Sequence, residues 1–459
     1  MFLSKPKLMR SSCGTAIARA GAFAMLALLA LPASIANANG ITLVRDAETE
    51  RMLRDYSLPI WQAAGMTPSA ITIHLVMDPN INAFVISGQD AFYNTGLITQ
   101  ADAPMEVIGV IAHETGHMAG AHRSRSAEAM GKAAIPYYAS MIAGVAAIAA
   151  GAGDAGMAIL AGGMQVAERS ILSYSRQQEG SADQAGATYL QRSHQSGKGM
   201  LMLFEKFRDQ EALSTQSQDP FVRSHPISED RLASLEERVK ASPYYDTPDS
   251  PERIHEMKMV QAKLFGYVDD SAVTLRRYPL SDQSDYAHYA RTVAYHKDGA
   301  DEKALAELAP LLTKMPNNPY IWELKGQIEF EGGKVAESIP SYRKALALDP
   351  NEPQFDLALG RSLLSAEKKA YEAEALALLK KSISRDKNNP FAYYQLSIAY
   401  GRMNQIGMAE LSTAEYYESV GSQPDAFGHA LKAQSLLKSG SPEWLRAQDI
   451  AITNKPERH

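Results

Sequence analysis

Cysteine is nearly absent. The 459-residue chain has one, Cys13, in an N-terminal stretch that reads as a removable leader. A mature chain without thiols has no disulfide, no cysteine nucleophile and no cysteine-based metal site. That suits an oxidising compartment such as the bacterial periplasm. Excess positive charge is missing as well. The net charge is −6, with 45% hydrophobic and 21% charged residues. This is an ordinary soluble composition and gives no reason to expect nucleic acid as a partner. Long apolar runs are also lacking. Residues 20–31 are apolar but short for a bilayer span. Residues 139–153 carry no charge before Asp154, yet they are short, rich in Gly and Ala, and have no basic flank.

What is present starts with the leader. Lys5, Lys7, Arg10 and Arg19 form a basic region without an acidic residue, the apolar core follows, and Ala36-Asn37-Ala38 has the small-x-small form of a cleavage site. The expectation is a signal peptide over 1–38, cleaved near Ala38, and export to the periplasm; the alternative is an uncleaved anchor. For residues 133–163 the readings are a pair of buried helices or an apolar element making peripheral membrane contact.

Residues 45–66 carry apolar positions at helical spacing, and 70–76 alternate like a strand. Residues 82–88 and 91–97 read as neighbouring strands turning at 87–90. Pro104 opens a helix that runs through Ile111 into His117. Residues 242–251, rich in Pro, Ser and Asp, mark a boundary, and 253–265 a connecting helix. Asn318-Pro319, Glu352-Pro353 and Asn389-Pro390 then recur at a period near 34, with paired helical patterns between them and a Gly332-Gly333 turn. This pattern resembles the tetratricopeptide signature. Residues 280–314 are a weaker first copy and 425–450 a capping pair. Such helix pairs stack into a solenoid. The expected domains are 1–38, an α+β domain over 39–245 that carries the chemistry described next, a linker helix over 246–279 and repeats over 280–459. The fold class is mainly α: an α+β domain with a small β-sheet, then an all-α solenoid.

The chemistry sits in His113-Glu114-Thr115-Gly116-His117. Two histidines four apart on a helix share one face, as zinc requires of nitrogen ligands. Glu114 beside them reaches a water, not the metal, and would act as general base. His122 lies half a turn around the helix from His113 and is rejected as third ligand, while the extended motif needs histidine where Arg123 stands. Glu179 is the better candidate, with Asp183 one turn on. One of these carboxylates would bind zinc and the other would hold a ligand histidine by its second nitrogen.

These features together resemble the HtpX and CAAX-prenyl-endopeptidase superfamily of gluzincins. Ser224-His225-Pro226 followed by Arg231, and Asn82-Ala83-Phe84 with Gly96-Leu97, match its further motifs, and the leader and repeats resemble its periplasmic, repeat-bearing type. The resemblance implies one zinc ion per chain on His113, His117 and Glu179, with Glu114 as base and Asp183 as an orienting or proton-donating acid. It implies that His225 lies near the metal, either stabilising an oxyanion or filling the fourth position as a latch. Arg231 would anchor that loop or contact substrate, and the strand of Asn82, Ala83 and Phe84 would pair with an extended peptide. The implied function is a metalloendopeptidase acting on unfolded or misassembled envelope proteins, with the repeats engaging clients or outer-membrane assembly machinery. The alternative is a chaperone or assembly factor in which the repeats carry the main activity.

Overall fold

The computed structural model describes residues 42–86, 89–121, 175–208, 222 and 224–456. The leader, Cys13, His122, Arg123 and the Ala/Gly-rich 133–163 lie outside the described residues.

The first part of the chain builds a small sheet and packs helices on one face of it. Strand β1 (Leu43–Val44), helix α1 (Ala47–Ala63), and strands β2 (Thr72–Val76), β3 (Ala83–Ile86) and β4 (Asp90–Asn94) follow in order. The sheet order is β1-β2-β4-β3, with β2 parallel to β4 and the other pairs antiparallel. Alternation sets the faces. Ile73, Leu75, Ala83, Val85, Ala91 and Tyr93 are buried toward the helices, whereas Thr72, His74, Phe84 and Phe92 point the other way and stay partly accessible.

Residues 82–86 and 90–94 pair as neighbours, but the second strand stops at Asn94 rather than reaching Leu97. There α2 (Thr95–Gln100) begins. The amide of Gly96 and the hydroxyl of Thr95 both donate to the carbonyl of Asp78, at 2.8 and 2.9 Å. A Cβ on Gly96 would lie 2.2 Å from the Pro79 carbonyl oxygen. The chain is thus pinned against the preceding loop and cannot remain extended.

Helix α3 (Pro104–Ala119) starts with proline at its first turn and is buried without interruption from Glu106 to His117. Its Val107, Val110 and Ile111 meet Met52, Ile60 and Trp61 of α1 and the inner face of the sheet in one core. Helix α4 spans 175–192, followed by α5 (Lys198–Phe207) and α6 (Glu229–Lys240).

The segment expected to connect the two parts runs as α7 (Pro251–Val268) and forms a shared wall. Its Met257, Val260 and Leu264 enter the first core, while Met259 and Ala262 enter the next, with Tyr289, Val293 and Leu308. After α8 (Ser271–Arg277) come five helix pairs: α9 (Asp285–Lys297) and α10 (Asp301–Lys314), α11 (Pro319–Glu331) and α12 (Val335–Leu348), α13 (Pro353–Ser365) and α14 (Glu372–Arg385), α15 (Pro390–Arg402) and α16 (Ile406–Ser419), α17 (Gln423–Leu436) and α18 (Pro442–Thr453). Asn318, Glu352 and Asn389 each accept a first-turn amide, with proline at the first helical position. Capping and a preset φ start these helices at fixed sites. The successive spacings are 34 and 37 residues, the longer one containing an extra turn at Lys369–Tyr371. Among the described residues no helix is long and apolar enough to cross a membrane.

Candidate metal centre

Four side chains from three segments converge under the edge of the sheet. His113 and His117 come from α3, Glu179 from α4, and His225 from the loop before α6. All are buried, and one ligand atom from each falls within 4.8 Å of the others. The Nε2 atoms of His113 and His117 are 3.0 Å apart. His225 Nδ1 lies 3.2 Å from His113 Nε2 and 3.1 Å from Glu179 Oε2. The Glu179 oxygens stand 3.3 and 3.4 Å from the two α3 nitrogens.

These donors fit a divalent metal. Zinc–nitrogen bonds of about 2.0–2.1 Å in a tetrahedral site put donors roughly 3.3 Å apart, close to the spacings found. His113 Nδ1 hydrogen-bonds Asp183 Oδ1 at 2.9 Å, which fixes the tautomer and turns the Nε2 lone pair toward the cluster. Burial opposes a charge on His113, but Asp183 and Glu179 outweigh it and push its pKa up to about 10 in the absence of a cation. A metal ion entering the group must therefore displace a proton. Glu114 adjoins the cluster. Its Oε1 is buried without a hydrogen-bond partner and lies 3.4 Å from His225 Nε2.

Burial alone would raise the Asp183 carboxyl, but Arg231 and His113 hold it below its ordinary value. Arg231 is 7% exposed. Its Nε and Nη2 donate to Asp183 at 2.5 and 2.9 Å, and its Nη1 donates to the Pro226 carbonyl at 2.8 Å and lies 3.1 Å from Glu179. The guanidinium also covers the Phe204 ring at 4.8 Å. Through these bonds the buried Arg231 links α4 to the backbone of the loop that carries His225.

The strand of Asn82, Ala83 and Phe84 lies at the rim of this cluster. The Ala83 carbonyl oxygen is 3.4 Å from His225 Nε2, and Ser224 Oγ donates to Asn82 Oδ1 at 3.4 Å.

Two positions that bring the helices together were not singled out in the sequence. A Cβ on Gly116 would lie 2.6 Å from the Ala182 carbonyl oxygen, and one on Gly186 would lie 3.0 Å from the Ala112 carbonyl. Glycine at both lets α3 and α4 approach closely enough for Glu179 and Asp183 to reach His113. Asp249 is a third unforeseen residue: it accepts the Met105 amide at 3.0 Å and caps α3. Neither glycine stands in an apolar run, Gly116 lying between Thr115 and His117 and Gly186 just after Asp183 and Gln184, and nothing local marks Asp249 either.

Residues 45–239 match Peptidase family M48, and residues 302–353 and 324–390 match Tetratricopeptide repeat. The Beta-barrel assembly-enhancing protease of Escherichia coli (strain K12) is 23% identical over 411 residues, which cover 88% of this chain and 82% of that protein. The protein of that name from Yersinia pestis is 25% identical over 379 residues, covering 81% and 76%. Mitochondrial metalloendopeptidase OMA1 of Schizosaccharomyces pombe is 27% identical over 175 residues, covering 38% and 48%.

Proposed function

From the premise that this chain carries a peptidase family M48 domain followed by tetratricopeptide repeats, and is homologous over most of its length to beta-barrel assembly-enhancing proteases, we propose that it is an exported zinc-dependent endopeptidase. It acts in the periplasm on misfolded or stalled envelope proteins, in quality control of outer-membrane β-barrel assembly. The observation that carries this reading is the convergence of His113 and His117 Nε2 on Glu179, with the buried Glu114 carboxylate beside them.

His113, His117 and Glu179 hold one zinc ion per chain, which supplies the Lewis acidity for hydrolysis near neutral pH. Glu114 takes the proton of the attacking water and passes it to the leaving amine. Asp183 keeps His113 in register and Arg231 anchors the loop that carries His225. Of the two roles weighed for His225, the fourth-position latch is favoured, because its Nδ1 lies among the other donors. The peptide runs extended along β3, and the repeats recruit clients or partner proteins. The leader-like residues 1–38 support export, and residues 39–245 and 280–459 act as peptidase and repeat domains. A chaperone without significant proteolysis is not favoured, because the ligand and base residues of a peptidase are all present.

Glu114→Gln tests the reading. The variant should retain one zinc per chain by elemental analysis while hydrolysis of an unfolded outer-membrane protein falls by at least about 100-fold. Undiminished hydrolysis would remove Glu114 from the mechanism.

A further inference from the structure

The outer face of the sheet carries a row of stacked rings that ends at the rim of the metal centre. His74 of β2 stacks on Phe92 of β4 with centroids 4.4 Å apart and planes within 15°. Phe92 stacks on Phe84 of β3 at 4.9 Å and 3°. Each pair is directly cross-strand: His74 faces Phe92 and Phe92 faces Phe84 in the register. Asp90 Oδ1 fixes the first ring through His74 Nε2 at 2.8 Å. The rings thus repeat at the strand spacing of about 4.8 Å. Among the described residues the row stops at Phe84, because β3 is the last strand of the described sheet. Its neighbour Ala83 meets His225.

We propose that Phe84 is the specificity-determining residue of a subsite for an aromatic or other flat apolar side chain of the substrate. This rests on the reading of β3 as the strand that pairs with the peptide. A peptide added to that edge lies one strand spacing beyond Phe84. Alternate side chains then project to the outer face, and the residue opposite Phe84 becomes the fourth ring of the row. Offset stacking between cross-strand aromatics favours such a residue over alanine. Strand rise is about 3.3 Å per residue. The favoured side chain therefore falls within about two residues of the bond above the metal centre. The other ligand class that flat rings attract, a cation held over a face, is distinguished in the test by lysine.

The experiment uses the zinc-loaded full chain and extended peptides in which one position after another carries Phe, Ala or Lys. Cleavage sites are mapped by mass spectrometry. The expected result is a preference of up to about tenfold in kcat/KM for Phe over Ala at one position. In Phe84→Ala that preference falls to within about twofold, and Phe84→Trp restores it, which separates loss of the ring from loss of the fold. An unchanged preference in Phe84→Ala, no aromatic preference in the wild type, or a lysine preference lost with Phe84 would each overturn the assignment. N-methylation of the peptide backbone, one amide at a time, tests the parent reading separately. If alternate N-methyl groups abolish cleavage but no ring preference exists, β3 pairing stands and the subsite is rejected. If no N-methyl group matters, or no peptide is hydrolysed, the parent reading fails and the subsite with it.

Discussion

Two buried clusters of charge can be set side by side in this chain. At the metal centre, His113, His117, Glu179 and His225 aim their ligand atoms at a common point, and Glu114 Oε1 has no hydrogen-bond partner. At the junction of the sheet domain with the repeats, Lys263 of α7 is 3% exposed and contacts Asp46 and Glu48 at the start of α1. Asp46 accepts from Thr49 at 2.8 and 2.6 Å, and the Tyr289 hydroxyl donates to Glu48 Oε2 at 2.6 Å. Burial disfavours the charge on Lys263, but Asp46 leads the groups that hold it well above the ordinary range. This second cluster closes on itself. The first turns three imidazole nitrogens and a carboxylate oxygen toward one another, the donor set that suits a divalent cation. Burial of charge by itself therefore does not identify a site; ligand atoms that converge on one point do.

Lys263→Met should break the closed cluster with the largest effect on stability. It removes the cation from the buried Glu48 and the half-buried Asp46, so unfolding free energy should fall by about 3 kcal/mol, read from denaturant midpoints. Zinc content and activity per folded molecule should stay as they were. A variant that melts normally but loses zinc would mean the two clusters are one coupled system.

Asp183→Asn acts on the open cluster. It weakens the hold on His113 Nδ1 and on Arg231, and zinc affinity should fall about 10–100-fold, measured by competition with a chelator. Unchanged affinity would reduce Asp183 to a structural role.

The smallest effect is the pH response of the junction. Burial, opposed by Lys263, pushes Glu323 up to about 7 from its ordinary 4.5. Between those values the folded chain keeps a proton that the unfolded chain has released. Stability from this group therefore falls as pH rises from about 4.5 to 7 and levels off above that. Glu323→Gln should flatten that part of the curve in thermal melts; an identical slope in the variant would assign the response elsewhere.

Much of the peptidase site was legible because it is written in one helix. His113 and His117 share a face by spacing alone, and Glu114 follows. The Asn-Pro and Glu-Pro marks located the repeat helices because capping and proline act on the nearest residues. The alternation continues to Leu97 while β4 ends at Asn94, since the carbonyl that accepts the bonds turning the chain there belongs to Asp78, in another loop. The dual packing of α7 was also hidden: its apolar positions announce burial but not against what.

What the sequence determined by itself is local. It set the pair of histidines one turn apart, the glutamate between them, the repeat starts, and the lack of any cysteine after Cys13. Only the tertiary structure decided how Asp183, 70 residues from His113, and His225, 112 residues from it, come to touch it. It also decided that Arg231 turns inward, and that Phe84 stands at the end of a ring row on an edge strand. The physical reason is that these contacts depend on how closely α3 and α4 approach at Gly116 and Gly186 and on which strand closes the sheet. Both are settled by packing between distant segments, which periodicity along the chain does not encode.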